Sequence, residues 1–383
     1  MVAIDSYAGG DGRLSPLSTP SATRAVLEAH GIGTKYTLGQ NFLVNDDVLK
    51  KIIALAEVSE DDRILEVGPG IGTLTIALLK HAAGVVAIER DPDLPAVLVD
   101  TLHPWREKFA LIEKDALDVT RDDIVSVAST MVEPGGDTGC PDRASSAANE
   151  TAQWAVSQSE DCLSESRYRV AMPQEELRPS LPSKLVANLP YAVAATVVLD
   201  YFENFPFLDS ATIMVQKEVA DRMAAAVGTK NYGAYTVKLG LYAEPVGRFA
   251  VGPGNFFPPP RVDSAVIRLN RRVPLMADGA PASPEVIAAA ALMADAAFTN
   301  RRKTIANSCK TYFSGRGPIS LGVADSSAAE GAPTIALPDG AATAERLPAI
   351  FEAAAIDPRR RGETLTQQEF LALGAALLKV TAA

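Results

Sequence analysis

The chain has little of what metal and disulfide sites are made from. Its 383 residues include three cysteines and three histidines. Cys140, Cys162 and Cys309 are widely spaced and form no CxxC pair. That argues against a disulfide framework or a thiolate metal site, so no metal and a reducing, cytoplasmic compartment are expected. His30, His81 and His103 have no evident catalytic setting, and the last two fall near expected helix ends, where capping explains them. No apolar run approaches the roughly 20 residues of a membrane span. The Ala-rich stretch near Ala288 is broken by Asp295. The opening residues, Met1 to Pro20, lack the basic and apolar regions of a secretory signal, so none is expected.

An excess of positive charge is also missing. The net charge is −11, which at first sight argues against a nucleic-acid partner. Its distribution weakens the objection. Residues 121–183 hold 11 acids against 5 arginines, and 315–345 hold 4 acids against 1 arginine. These two stretches carry nearly all of the excess. Outside them lie basic clusters at Arg268/Arg271/Arg272, at Arg301-Arg302-Lys303 with Lys310, and at Arg359-Arg360-Arg361. Any one of them also suits a solvated surface.

What is present is a soluble, globular balance, 47% hydrophobic and 22% charged, long enough for two ordinary cores. The first 20 residues read as disordered, and Ser21–His30 as a short helix. Lys35–Leu43 reads as an ordered loop, and Asn45 as the N-cap of a helix over 46–56. Strand and helix patterns then alternate. Strands are expected at 63–67, 84–89, 109–113, 184–187, 211–215, 243–251 and 264–269. Helices are expected at 73–81, 93–103, 192–204 and 216–226. This is an α/β pattern. Residues 121–183 interrupt it as a long, acidic, partly disordered insertion, with a short strand expected at 167–172. After Arg272 the pattern turns helical, at 284–298, 300–313, 344–355 and 366–379, broken by a flexible Gly/Ser/Ala-rich segment at 315–342.

The chemistry gathers where strands end. Gly68-Pro69-Gly70-Ile71-Gly72 follows the 63–67 strand and opens a helix, the entry to a nucleotide-binding βαβ unit. Thr73 stands where a dinucleotide fingerprint has its third glycine, and such a turn also suits a simple tight bend. Glu89, about twenty residues on, ends the next strand where a carboxylate accepts from ribose hydroxyls. Asp115 follows the third strand, where it serves as an adenine acceptor or as a turn residue. After the fourth strand comes Asn188-Leu189-Pro190-Tyr191. The Asn188 side-chain carbonyl and the Leu189 backbone carbonyl are two acceptors for an amino group. Pro190 fixes the backbone direction. Tyr191 offers a ring for a base to stack on, with Phe257 the candidate for its other face. That set suits methylation of an adenine amino nitrogen in an extruded base.

The same residues resemble a known family. Leu38 to Leu43, Glu66 to Gly70, Glu89, Asp115-Ala116, Asn188 to Tyr191, Gln216 to Val219 and Tyr232-Gly233 all match. So do Phe257 to Val266, Arg301 to Ile305, and Ile356-Asp357-Pro358 with Arg361. Together they resemble the ribosomal RNA adenine N6,N6-dimethyltransferases, most closely their bacterial small-subunit branch. The resemblance implies a Rossmann-like class I methyltransferase sheet with helices on both faces, over 35–272 with the insertion at 121–183. A tail at 1–34 precedes it, and a smaller all-helical domain for RNA and subunit recognition follows at 273–383. It implies S-adenosyl-L-methionine as methyl donor, with Gln40, Asn41, Leu43, Glu66, Gly68, Gly70, Glu89, Asp115, Ala116 and Asn188 as cofactor residues. Asn188, Leu189, Pro190, Tyr191 and Phe257 would form the target-base pocket, and Arg261, Arg301, Arg302 and Lys303 would contact RNA. The expected substrate is two adjacent adenosines in the 3′-terminal hairpin loop of 16S rRNA. The expected partner is the assembling 30S subunit, met by a cytoplasmic monomer with no membrane contact. Two other readings share part of the pattern: a large-subunit adenine methyltransferase of the resistance type, and an RNA-binding assembly factor without chemistry.

Overall fold

The structure is a computed structural model, and it describes residues 12–33, 40–131, 181–322 and 334–382. Within these residues eleven strands occur. They are β1 (Phe42–Leu43), β2 (Arg63–Val67), β3 (Gly84–Glu89), β4 (Phe109–Glu113), β5 (Lys184–Asn188), β6 (Ser210–Gln216), β7 (Ala243–Val251), β8 (Phe256–Phe257), β9 (Ser264–Arg271), β10 (Ile319–Gly322) and β11 (Thr334–Leu337). Seven form one sheet in the order β4-β3-β2-β5-β6-β9-β7. β4, β3, β2, β5 and β6 run parallel, while β9 and β7 add antiparallel at one edge. The parallel strands are Val/Ile/Leu-rich because both faces are covered. Leu65 and Val86 face one apolar layer, shared with the helix Ala194–Asn204. Ile64 and Val85 face the other, shared with the helices Asp46–Ala56, Thr73–Leu79 and Leu94–Thr101. The expected Rossmann-like sheet with helices on both faces is met.

This order puts the chain's change of direction between β2 and β5, and ligands bind where such sheets reverse. The turns that follow the two strands touch. A Cβ built on Gly68 would sit 3.6 Å from Pro190 Cδ.

A third core lies among the C-terminal helices and includes Met293, Phe313, Ile350 and Phe370. It also takes in Tyr232 and Val237 from ahead of Arg272. Tyr232 Oη donates to the Leu365 carbonyl at 2.8 Å, and Gly228 N–H donates to the Glu363 carbonyl at 2.8 Å.

Several expectations change. Residues 12–19 are not a loose tail. Leu17 is 1% exposed, and Asp46 Oδ1 accepts the N–H groups of Leu14 and Ser15 at 2.8 and 3.2 Å. The interruption starts later than 121, because Arg121–Ala128 is a helix closed by a Thr120/Asp123 capping box. Residues 132–180, with the strand expected at 167–172, lie outside the described residues. Within 315–342, β10 pairs with β11 (Ile319↔Leu337), and residues 323–333 lie outside the description. The last helices run Ile305–Ser314, Gly340–Ala353 and Gln367–Ala382, with Thr304 and Asp339 capping the first two. Among the described residues no helix is long and apolar enough to cross a membrane.

Candidate active site

A cavity of about 500 Å³ opens at the C-terminal ends of β2 to β5. Its wall starts in the glycine turn, where Gly68, Gly70 and Gly72 have φ of 71°, 61° and 88°. Alternating left-handed residues turn the backbone sharply, which side chains resist. At Gly70 a Cβ would also come 3.0 Å from Phe42 Cε1. Phe42 is held there by the register of β1 with β8, Phe42↔Phe257.

Two carboxylates on neighbouring strands reach this wall. Glu66 is 1% exposed, and its Oε2 has no hydrogen-bond partner among the described residues. Burial, with the charge of Glu89 added, pushes its carboxyl up to about 8, although the nearby Thr75 hydroxyl pulls the other way. Glu66 is therefore largely neutral at pH 7. Glu89 is also raised by burial, against the pull of backbone N–H groups. Its Oε1 accepts from Arg90 and Asp91, each at 2.9 Å. Those bonds fix the carboxylate at the end of β3.

Asp115 follows β4. Its Oδ1 accepts the Leu117 N–H at 3.1 Å, and its Oδ2 pairs with Arg90 at 2.8 Å. A pair this exposed adds little stability, but it holds the carboxylate's orientation. Gln40 Nε2 donates to Asp91 Oδ2 at 2.7 Å.

The turn after β5 closes the cavity. Asn188 Nδ2 donates to the Asn41 carbonyl at 3.1 Å. With the amide nitrogen committed there, Oδ1 is the acceptor left for a ligand. The Leu189 N–H donates to Met214 O at 3.1 Å, which ties the turn to β6. The Pro190 carbonyl accepts from Val193 and Ala194 at 3.2 and 3.1 Å and starts the next helix. Tyr191 Oη and Ser264 Oγ lie 2.5 Å apart. Burial raises the Tyr191 phenol above its ordinary value.

All ten expected cofactor residues line this cavity, and so do Leu189, Pro190 and Tyr191. Phe257 does not. It reaches the wall through its register partner Phe42, and the Arg24 guanidinium lies 5.3 Å from its ring centroid. The four expected RNA contacts stand apart from the cavity. Arg261, Arg302 and Lys303 are exposed. Arg301 is partly exposed; it bonds Glu363 Oε2 and Thr229 O, both at 2.9 Å, and joins the 226–233 loop to the helical region.

Sequence reasoning missed Arg90 and Gln216 in the wall, and Ser264 behind Tyr191. The first two had a signal, since both stand at ends of parallel strands. The basic cluster at 268–272 is no open surface. Arg271 donates to the carbonyls of Phe202, Phe205 and Leu208, and Arg268 pairs with Glu57 at 2.7 Å.

The family model described as ribosomal RNA adenine dimethylase matches residues 33–333. A ribosomal RNA small subunit methyltransferase A from Geobacillus sp. (strain WCH70) is 33% identical over 364 residues, 95% of this chain and 98% of that protein. The protein of the same name from Streptomyces griseus subsp. griseus is 34% identical over 358 residues, 92% of this chain and 93% of its own. The crystal structure of a dimethyladenosine transferase from Plasmodium falciparum shares the fold. Its TM-score is 0.56 at 20% identity, covering 88% of this chain and 98% of that one.

Proposed function

The chain belongs to the ribosomal RNA adenine dimethylase family, and from that premise we propose its substrate and mechanism. It transfers methyl groups from S-adenosyl-L-methionine to N6 of two adjacent adenosines in the 3′-terminal hairpin loop of small-subunit ribosomal RNA. It does so on an assembling small subunit, as a cytoplasmic monomer. The observation that carries this reading is that Asn188, Leu189 and Tyr191 line one wall with the glycine turn and Glu89; Asn188 Oδ1 and Leu189 O are the acceptors they would offer there.

The cavity fits the donor. The bare backbone of Gly68 and Gly70, the fixed Glu89 carboxylate and Glu66 Oε2, unpartnered among the described residues, make a lining for a polar, ribose-bearing ligand. Glu89 would accept from the ribose hydroxyls, and Asp115 from the adenine amino group. Gln40, Asn41, Leu43 and Ala116 complete the wall. Once bound, S-adenosylmethionine supplies a methyl group activated on a sulfonium.

The target N6 is a poor nucleophile because its lone pair is spread into the ring. In the first transfer Asn188 Oδ1 and Leu189 O would accept its two hydrogens and favour a more tetrahedral nitrogen with the lone pair aimed outward; each transfer releases one N6 proton, so the second has a single hydrogen left to hold. Tyr191 holds the extruded base by stacking. Catalysis rests on positioning and electrostatics rather than on a strong base. Arg261, Arg302 and Lys303, with the helical region, serve RNA binding. Phe257 acts from outside the wall, through its pairing with Phe42.

The test is transfer of labelled methyl groups to precursor small subunits and, separately, to naked large-subunit RNA, with the modified base identified. N6,N6-dimethyladenosine in the small-subunit RNA is expected. Product in the large-subunit RNA alone overturns the reading.

A further inference from the structure

Ser264 belongs to no part of the cavity wall, yet it touches the one aromatic side chain assigned to the target base. It is 0% exposed and begins β9, straight after the exposed residues Arg261–Asp263. Its backbone is held from both sides, in register with Gln216 of β6 and Val251 of β7. Gln216 itself lines the cavity. The hydroxyl therefore stands on a fixed point of the sheet, at 2.5 Å from Tyr191 Oη.

Tyr191 needs such a point. It lies in a turn rather than a regular element, and only part of its ring is buried. A stacking face is useful only if its tilt matches the base, and small misplacements of bound groups are costly in rate. Burial keeps the phenol above its ordinary range, so both hydroxyls stay neutral and the bond persists through neutral pH.

We propose that Ser264 is a positioning residue for methyl transfer, acting through Tyr191 to set the plane on which the extruded adenine stacks. The proposal rests on the assignment of Tyr191 to the target base. Ser264 touches neither donor nor base, so its effect must vanish when the Tyr191 hydroxyl is gone.

The experiment is a double-mutant cycle of Ser264→Ala and Tyr191→Phe. It is read by single-turnover methyl transfer to precursor small subunits, with KM for RNA and a thermal melt of each variant. Each single change is expected to lower the rate constant about 10-fold, the equivalent of one lost hydrogen bond. KM should stay within about twofold, and the double variant should be no slower than the worse single. Losses that multiply in the double variant, or a Ser264→Ala enzyme at the wild-type rate, overturn the proposal. If Ser264→Ala does not fold, Ser264→Cys takes its place in the cycle, with the same expected and refuting outcomes. A wild type that leaves small-subunit adenine unmodified refutes the functional reading. An active wild type with unaffected variants refutes only the role of Ser264.

Discussion

The side-chain amide of Asn188 donates to the backbone carbonyl of Asn41 at 3.1 Å, joining the turn after β5 to the segment that enters β1. One bond thus orients the proposed target-base acceptor and tethers a residue of the expected cofactor set. Asn188→Ala removes the acceptor and that bond. Methyl transfer is expected to fall by about 100-fold or more, in the range of losing one transition-state hydrogen-bonding group. RNA affinity should survive, because the exposed basic residues are untouched. Single-turnover rates beside equilibrium RNA binding check this, and undiminished transfer would reject the assignment.

Gly70→Ala probes the glycine turn. The residue sits at φ 61°, and the new methyl would lie 3.0 Å from Phe42 Cε1. Backbone strain of about 1–2 kcal/mol is expected. The turn will relieve it by shifting the wall, so S-adenosylmethionine should bind about 10-fold more weakly. Calorimetric titration of the variant measures this directly, and unchanged affinity counts against the turn as a cofactor cradle.

Glu66→Gln should change how stability depends on pH. In the fold the carboxyl titrates at about 8, against an ordinary value of 4.5. Below the lower value both folded and unfolded states hold the proton, and ionisation adds no cost. Between the two values only the folded state holds it, so stability falls as pH rises, by about 1.4 kcal/mol per unit. Above the higher value the slope ends. Glutamine removes this slope, so the variant should gain about 3 kcal/mol on wild type between pH 5.5 and 8. Urea unfolding at the two pH values tests it, and parallel curves would show that Glu66 is ionised in the fold.

The parts of the site that could be read from sequence are those written in a local pattern. β2 and β3 are short apolar runs, the glycines follow one of them, and an acid ends the other. The rule that ligands gather at strand ends then pointed to Glu89, Asp115 and Asn188 together. What could not be read depends on partners far along the chain. β1 and β8 have two residues each, too short for any period, yet their pairing places Phe42 against Gly70. Arg271 looked like part of a surface cluster because charge type says nothing about which carbonyls lie near. In the fold it binds three of them at the end of the helix Ala194–Asn204. The β10–β11 hairpin was hidden by the Gly/Ser/Ala-rich composition around it.

Arg301, Arg302 and Lys303 are adjacent in sequence but should respond differently to alanine. Arg301 spans Glu363 and the Thr229 carbonyl, so its removal takes a donor from the partly buried Glu363 carboxylate, while Thr229 O keeps the Tyr232 N–H at 3.2 Å. The pair is partly screened by solvent, so stability should fall by about 1 kcal/mol. Arg302 and Lys303 are exposed, and their side chains make no ion pair among the described residues. Alanine there should change stability by less than about 0.5 kcal/mol. If each meets a phosphate, its loss weakens RNA binding across sequences and lowers the salt slope by about one. Denaturant unfolding and salt-dependent RNA binding on the three single variants separate the roles. A salt slope that drops for Arg301→Ala at full stability would move it from the latch to the RNA surface.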